Sequence, residues 1–149
     1  MAFPKTILVP TDFSECANAA MAYALDIAGA TGKTKLVLLH TYATPVVAFP
    51  TGAVAYLPEI IATIVRNAEE ALAAAAARAR SAGVPVETSL KNGDPRETIL
   101  NAIEEFHADL VCLGTHGRRG VARLLIGSVA ERIVRTSPVP VLTVHATGS

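Results

Sequence analysis

The chain has 149 residues, 51% hydrophobic and 17% charged, which excludes a disordered segment and suits one ordinary domain spanning 1–149. Its 13 basic residues balance its 13 acidic ones, so neither nucleic acid nor an anionic membrane surface is expected as a partner. No run approaches the ~20 apolar residues of a membrane span, and the N-terminus has no signal-peptide layout, so the expected location is cytoplasmic.

Lys5–Pro10 (KTILVP) reads as a first strand, followed by Thr11-Asp12-Phe13-Ser14. Ala17, Ala20, Met21, Ala24, Leu25 and Ala28 then recur at helical spacing, and Gly32 suits the helix stop. Lys35–Thr41 (KLVLLHT) is a continuous apolar run, the pattern of a strand covered on both faces. Residues 42–56 hold Pro45, Pro50 and Gly52 and read as a long irregular connection, either a partner surface or a cover for a pocket or dimer seam. A helix is expected from about Pro58 to about Ser81, with Gly83 as its left-handed stop.

Val84–Lys91 alternates as a strand. Asp94-Pro95-Arg96-Glu97 opens a helix whose buried stripe is Ile99, Ala102, Ile103 and Phe106. Asp109–Leu113 is another buried strand, Ser128-Val-Ala-Glu131 reads as a capping box opening a helix to about Thr136, and Val139–Val144 closes the chain. Strict alternation of strand and helix predicts an α/β fold: a five-stranded parallel sheet, order 3-2-1-4-5, with helices on both faces. Cys16 and Cys112 stand in no metal-type spacing and read as buried thiols of a reducing compartment.

In such a sheet the ligand crevice lies beyond the carboxyl ends of the strands where the order reverses, here between the first and fourth strands. The first ends at Pro10-Thr11-Asp12 and the fourth at Gly114-Thr-His-Gly117. Gly114, Gly117 and Gly120 come at three-residue spacing, and Gly127-Ser128 opens a helix. Glycines let backbone N–H groups approach a phosphate, and a helix N-terminus supplies unpaired donors. Five of the 13 basic residues (Arg118, Arg119, Arg123, Arg132 and Arg135) fall in this part of the chain, against the single acid Glu131. Arg118, Arg119 and Arg123 would add charge-assisted bonds if turned inward. No GxxxxGK[ST] loop is present and no GxGxxG follows the first strand, so P-loop and dinucleotide sites are excluded.

Each residue also has a plainer reading. Asp12 serves either a ribose or the cap of the next helix, Ser128 caps on any reading, the glycines form either a cradle or a turn, and His116 is a phosphate contact or a solvent-facing loop residue. Asp12 and His116 are the only candidate general bases and both have binding roles, so hydrolysis is expected to be slow or absent, and no catalytic residue is assigned. A slow nucleotide-hydrolysing or phosphoryl- or adenylyl-transferring enzyme of the same architecture, a ligand-free dimeric scaffold and a flavin carrier are the other classes, the last with only Phe13 and Tyr42 to stack on the ring.

Gly114-x-x-Gly117-x9-Gly127-Ser128, with ILVPTDFS, KLVLLH, DLVCLGTHGRRG and SPVPVLTV, resembles the ATP-binding branch of the universal stress proteins over essentially the whole chain. The resemblance implies an adenine nucleotide alpha hydrolase-like Rossmannoid fold and ATP as the ligand, with Mg²⁺ or Mn²⁺ on its phosphates. It places Asp12 on the ribose, Thr11 and Thr41 about the adenine, and Gly114, His116, Gly117, Gly127 and Ser128 about the phosphates, with Pro10, Arg118, Val129 and Ala130 as further residues of the nucleotide site. Thr41 stands where the family often has Val. The family also implies a homodimer through Val139–Val144 and a regulatory or protective role in stress; a protein partner is not indicated.

Overall fold

A computed structural model describes residues 2–116 and 126–146. Its main sheet holds β1 (Thr6–Pro10), β2 (Lys35–Tyr42), β5 (Val86–Asn92), β6 (Leu110–Gly114) and β7 (Val141–Val144) in the order β5-β2-β1-β6-β7. With the hairpin strands β3 and β4 set aside, this is the expected order 3-2-1-4-5, and all four pairings are parallel. Among the described residues four helices connect the strands: α1 (Glu15–Thr31), α2 (Pro58–Ser81), α3 (Pro95–Glu105) and α4 (Ser128–Thr136).

Strand alternation divides the core into two layers. Ile7, Val9, Leu36 and Leu38 face one way and pack on Ala20, Met21, Ala24, Leu72, Ala75 and Ala76 of α1 and α2. Leu8, Val37, Leu39 and Val111 face the other way and pack on Ile99, Ala102, Ile103, Ala130 and Ile133 of α3 and α4. Two covered faces explain why β1, β2 and β6 read as unbroken apolar runs. Each fully buried aliphatic side chain of these strands contributes about 1.5–3 kcal/mol. The alanines of α1 and α2 let both helices lie close to the sheet. Among the described residues no helix is long and apolar enough to cross a membrane.

Local signals set the helix ends. Ser14 accepts from the Ala17 N–H and caps α1, and Gly32 closes it at φ 68°. Asp94 caps α3 by accepting from the Arg96 N–H, with Pro95 following in the first turn. The Arg96 guanidinium also bonds the Asp94 carboxylate at 2.7 Å, and this contact first, then the backbone bond, holds that carboxyl down to about 2.

Four expectations need correction. Residues 42–56 are not irregular throughout: β3 (Val46–Ala48) and β4 (Val54–Tyr56) pair antiparallel, Val46 opposite Tyr56. Their β-branched residues form the ladder while Pro50 sits inside the Phe49–Gly52 turn, where it breaks no pairing; the Gly52 N–H donates to the Phe49 carbonyl at 2.9 Å. Second, Ser128 is not the cap of α4, because the extended cap residue is Gly127 and Ser128 is the first helical residue. Third, Cys112 is buried but Cys16, on the first turn of α1, is partly exposed. Fourth, Phe106 is only partly buried, at the C-cap of α3, where it packs at the edge of its layer.

Candidate functional site

β1 and β6 end side by side at the reversal of strand order, and a cleft of about 550 Å³ opens there. Pro10, Thr11, Asp12, Thr41, Gly114, His116, Gly127, Ser128, Val129 and Ala130 all line it. Gly117 and Arg118, also expected at the site, lie outside the described residues. The α4 helix carries Gly127, Ser128, Val129 and Ala130 to the cleft from one side, and the turn after β1 brings Thr11 and Asp12 from another.

The β1 turn is tightly built. The Thr11 N–H donates to the Leu39 carbonyl at 2.8 Å, and the His40 ring nitrogen Nδ1 lies 2.7 Å from the Thr11 carbonyl. A carbonyl only accepts, so His40 carries its proton on Nδ1. Phe13 takes φ 64°, unusual for a bulky side chain, and its ring centroid lies 4.7 Å from that of His40. Its N–H donates to Thr11 Oγ1 and the Ser14 N–H donates to Asp12 Oδ1, each at 3.0 Å. The helix cap is therefore the Ser14 hydroxyl, and Asp12 closes a turn one step earlier at the cleft wall.

The opposite wall is the start of α4. No side chain caps this helix, in contrast to α1 and α3. Its first intrahelical bond runs from the Glu131 N–H to the Gly127 carbonyl at 2.9 Å, which leaves the N–H groups of Ser128, Val129 and Ala130 without acceptors inside the helix. Such an end attracts anions through these donors and the helix dipole. Nearby, His116 lines the cleft with Nε2 buried and without a hydrogen-bond partner among the described residues.

The two described glycines of the motif have packing reasons as well. A Cβ on Gly114 would lie 2.7 Å from the Cys16 backbone and 2.9 Å from Ala17 N, so the glycine lets α1 seat on the end of β6. A Cβ on Gly127 would meet the Thr115 carbonyl at 3.0 Å, the same carbonyl to which the Gly127 N–H donates at 2.6 Å.

Sequence reasoning passed over several residues of the cleft: Ala17, Leu39, His40, Ala43, Gly93, Pro95, Ile99, Leu113 and Thr115. His40 carried one usable signal, a polar side chain ending an otherwise apolar strand beside Thr41. Thr115 lies inside the Gly114–Gly117 motif but is 1% exposed, because its hydroxyl bonds side chains rather than facing the cleft mouth. Among the described residues no group of three or more His, Cys, Asp or Glu is placed to hold a metal ion.

A parallel sheet with helices on both faces and a cleft at the switch point, bounded by a carboxylate and an uncapped helix, places the chain among the doubly wound α/β proteins. The model of the universal stress protein family matches residues 4–145, and the chain belongs to that family. A universal stress protein of Thermus aquaticus is 36% identical over 142 residues, covering 95% of this chain and 98% of the relative. A solved protein of the family from Burkholderia pseudomallei superposes with a TM-score of 0.75 at 28% identity, over 97% of this chain and 98% of that one. A universal stress protein solved in complex with cAMP gives 0.68 at 29% identity, over 98% and 100%.

Proposed function

We propose that this chain, as one domain spanning 1–149, binds ATP in the cleft between β1 and β6 and serves as a nucleotide-dependent regulatory or protective protein in the stress response. The observation that carries the reading is the pairing of the uncapped α4 N-terminus with the buried, unpartnered His116 Nε2 in one cleft. An anion satisfies both. The relative that holds cAMP supports an adenine nucleotide as the source of that anion.

In this reading the triphosphate meets the N–H groups of Ser128, Val129 and Ala130 and the His116 ring, with Gly117 and Arg118 closing the cradle. Asp12 accepts from a ribose hydroxyl, while Pro10, Thr11 and Thr41 border the base. Mg²⁺ or Mn²⁺ rides on the phosphate oxygens. The protein is cytoplasmic and forms a homodimer through the segment Val139–Val144, whose strand β7 is an edge of the sheet.

The same geometry argues against efficient hydrolysis. Asp12 accepts from the Ser14 N–H and the His116 Nδ1 atom is held by Thr115, so each candidate base already has a positional role. Turnover is expected far below the median enzymatic value of ~10 s⁻¹. Calorimetry on protein stripped of small molecules, with ATP and either Mg²⁺ or Mn²⁺, tests the reading. Saturable binding at one site per chain supports it; no affinity for ATP removes it and leaves a ligand-free scaffold.

A further inference from the structure

Thr115 connects the cleft to the far end of β7. Its hydroxyl lies 3.1 Å from His116 Nδ1, 3.0 Å from His145 Nδ1 and 3.5 Å from the Val144 carbonyl. One hydroxyl proton must be shared among these neighbours, and a neutral imidazole has one N–H and one lone pair. Few proton arrangements satisfy all of them.

If Thr115 donates to His116, then His145 must donate from Nδ1 to Thr115, and His116 carries its own proton on Nε2. If Thr115 instead donates to His145, His116 must donate from Nδ1, and its Nε2 becomes a bare lone pair. Donation to the Val144 carbonyl has the same consequence for His116, at a contact on the outer limit of hydrogen bonding. That carbonyl already accepts the Thr115 N–H at 3.0 Å.

The ligand decides between these states. His116 Nε2 is buried and unpartnered at a cleft whose wall presents the donors of α4. A lone pair there would repel an anion, whereas an N–H would bond it. We propose that a run of hydrogen bonds from His145 Nδ1 through the Thr115 hydroxyl to His116 Nδ1 holds the neutral His116 ring in its Nε2–H form, ready to donate to a phosphate oxygen. Thr115 and His145 are thus positioning residues for the anion contact, acting through His116 as an outer partner fixes the tautomer of a metal-bound histidine. The choice of tautomer rests on the phosphate reading of the cleft, but the tautomer is read in the protein without ligand, so the two can fail separately.

Nitrogen-15 NMR of the histidine rings tests the tautomer in the unliganded protein. His116 is expected as the Nε2–H form in the wild type and in Thr115→Ser, and its appearance as the Nδ1–H form in the wild type overturns the relay. Calorimetry with ATP and with adenosine tests the consequence. Thr115→Val should weaken ATP about five- to ten-fold, the net worth of about one ordinary hydrogen bond, and leave adenosine unchanged. Thr115→Ser should restore ATP binding, and His145→Ala, at an exposed position, should fall between. Equal ATP binding by wild type and both Thr115→Val and His145→Ala, or parallel loss of ATP and adenosine, overturns the proposal. Should Thr115→Val fail to fold, the wild-type tautomer and His145→Ala still decide it. A wild type that binds no nucleotide removes the nucleotide reading alone, since the ring tautomer is read without ligand.

Discussion

Gly114 and Cys16 approach so closely that a single methyl group cannot fit between β6 and α1: a Cβ on the glycine would lie 2.7 Å from both the Cβ and the carbonyl carbon of Cys16. Two of the three atoms in the way are backbone, and the helix is fixed by its Ser14 cap, so relief requires moving α1. Gly114→Ala should therefore destabilise the protein by about 1–3 kcal/mol, the usual cost of overpacking. Urea unfolding of the ligand-free protein checks this, and an unchanged midpoint would show that the helix end gives way freely. The result separates a packing role for Gly114 from any role toward a ligand.

The two thiols should differ sharply in reactivity. Cys112 is fully buried, with Sγ 3.1 Å from the Ala20 carbonyl, and burial pushes its thiol up to about 12 from 9.0. Cys16 is partly exposed. Iodoacetamide at neutral pH should label Cys16 in the native protein and reach Cys112 only on unfolding. The sign of the linkage follows: the raised folded value means the native state keeps a proton that the unfolded chain loses. Stability from this group is full below pH 9.0 and declines as pH rises toward about 12. Cys112→Ser should flatten that part of the alkaline stability profile in urea titrations, apart from any loss of stability at neutral pH.

What was legible in the sequence follows from how locally each feature is encoded. Ile7–Val9, Leu36–Leu39 and Val111–Leu113 announce two-sided burial by their composition alone, and with strict alternation they point to a parallel sheet, for which 3-2-1-4-5 is the common order of five strands. Asp12, Thr41, Gly114 and Gly127 reach one cleft because the topology leaves the ends of neighbouring strands together there. The hairpin was hidden because Pro45, Pro50 and Gly52 look like breakers, although Pro50 and Gly52 only shape the turn. Ser128 looked like a cap because cap preference is a matter of residue type, whereas the switch from extended to helical backbone falls one residue earlier, at Gly127. Thr115 gave no warning, since its partner His145 is 30 residues away and the two meet only once β6 and β7 pair.

Dimerisation can be tested without touching the fold. The Val111 N–H donates to the Pro140 carbonyl and the Thr115 N–H to the Val144 carbonyl, so these residues of the last strand turn their backbone toward β6. By alternation Val141 and Thr143 turn theirs to the outer edge. Pro140 precedes β7 and contributes only its carbonyl, so the missing N–H costs no ladder bond. Thr143→Pro should remove an outward N–H, leave the bonds to β6 in place and convert the proposed dimer to monomer. Sedimentation velocity with far-ultraviolet circular dichroism reads both effects. A wild type that stays monomeric at all concentrations, or a Thr143→Pro variant that stays dimeric with native dichroism, counts against pairing through this edge.

Asp12 offers the sharpest test of how a nucleotide would lie. Its Oδ1 accepts from the Ser14 N–H, which helps fix the carboxylate in a cleft that the α4 N-terminus also lines. A ribose hydroxyl donating to this carboxylate would make a charge-assisted bond, worth roughly 1.5–3 kcal/mol. Asp12→Asn keeps the size and an acceptor oxygen for Ser14 but removes the charge, so it should weaken ATP about ten-fold or more with little change in stability. Asp12→Ala also loses the turn and should cost at least as much affinity together with some stability. The phosphates would still hold to the start of α4, so binding should be reduced and not abolished. The control is the sugar. If Asp12 accepts from ribose hydroxyls, 2′,3′-dideoxy-ATP should bind the wild type as weakly as ATP binds Asp12→Asn, and the two losses should not add. Calorimetry of both nucleotides against both proteins completes the cycle. Additive losses would place the ribose elsewhere, and an Asp12→Asn protein binding ATP like the wild type would remove Asp12 from the nucleotide contacts.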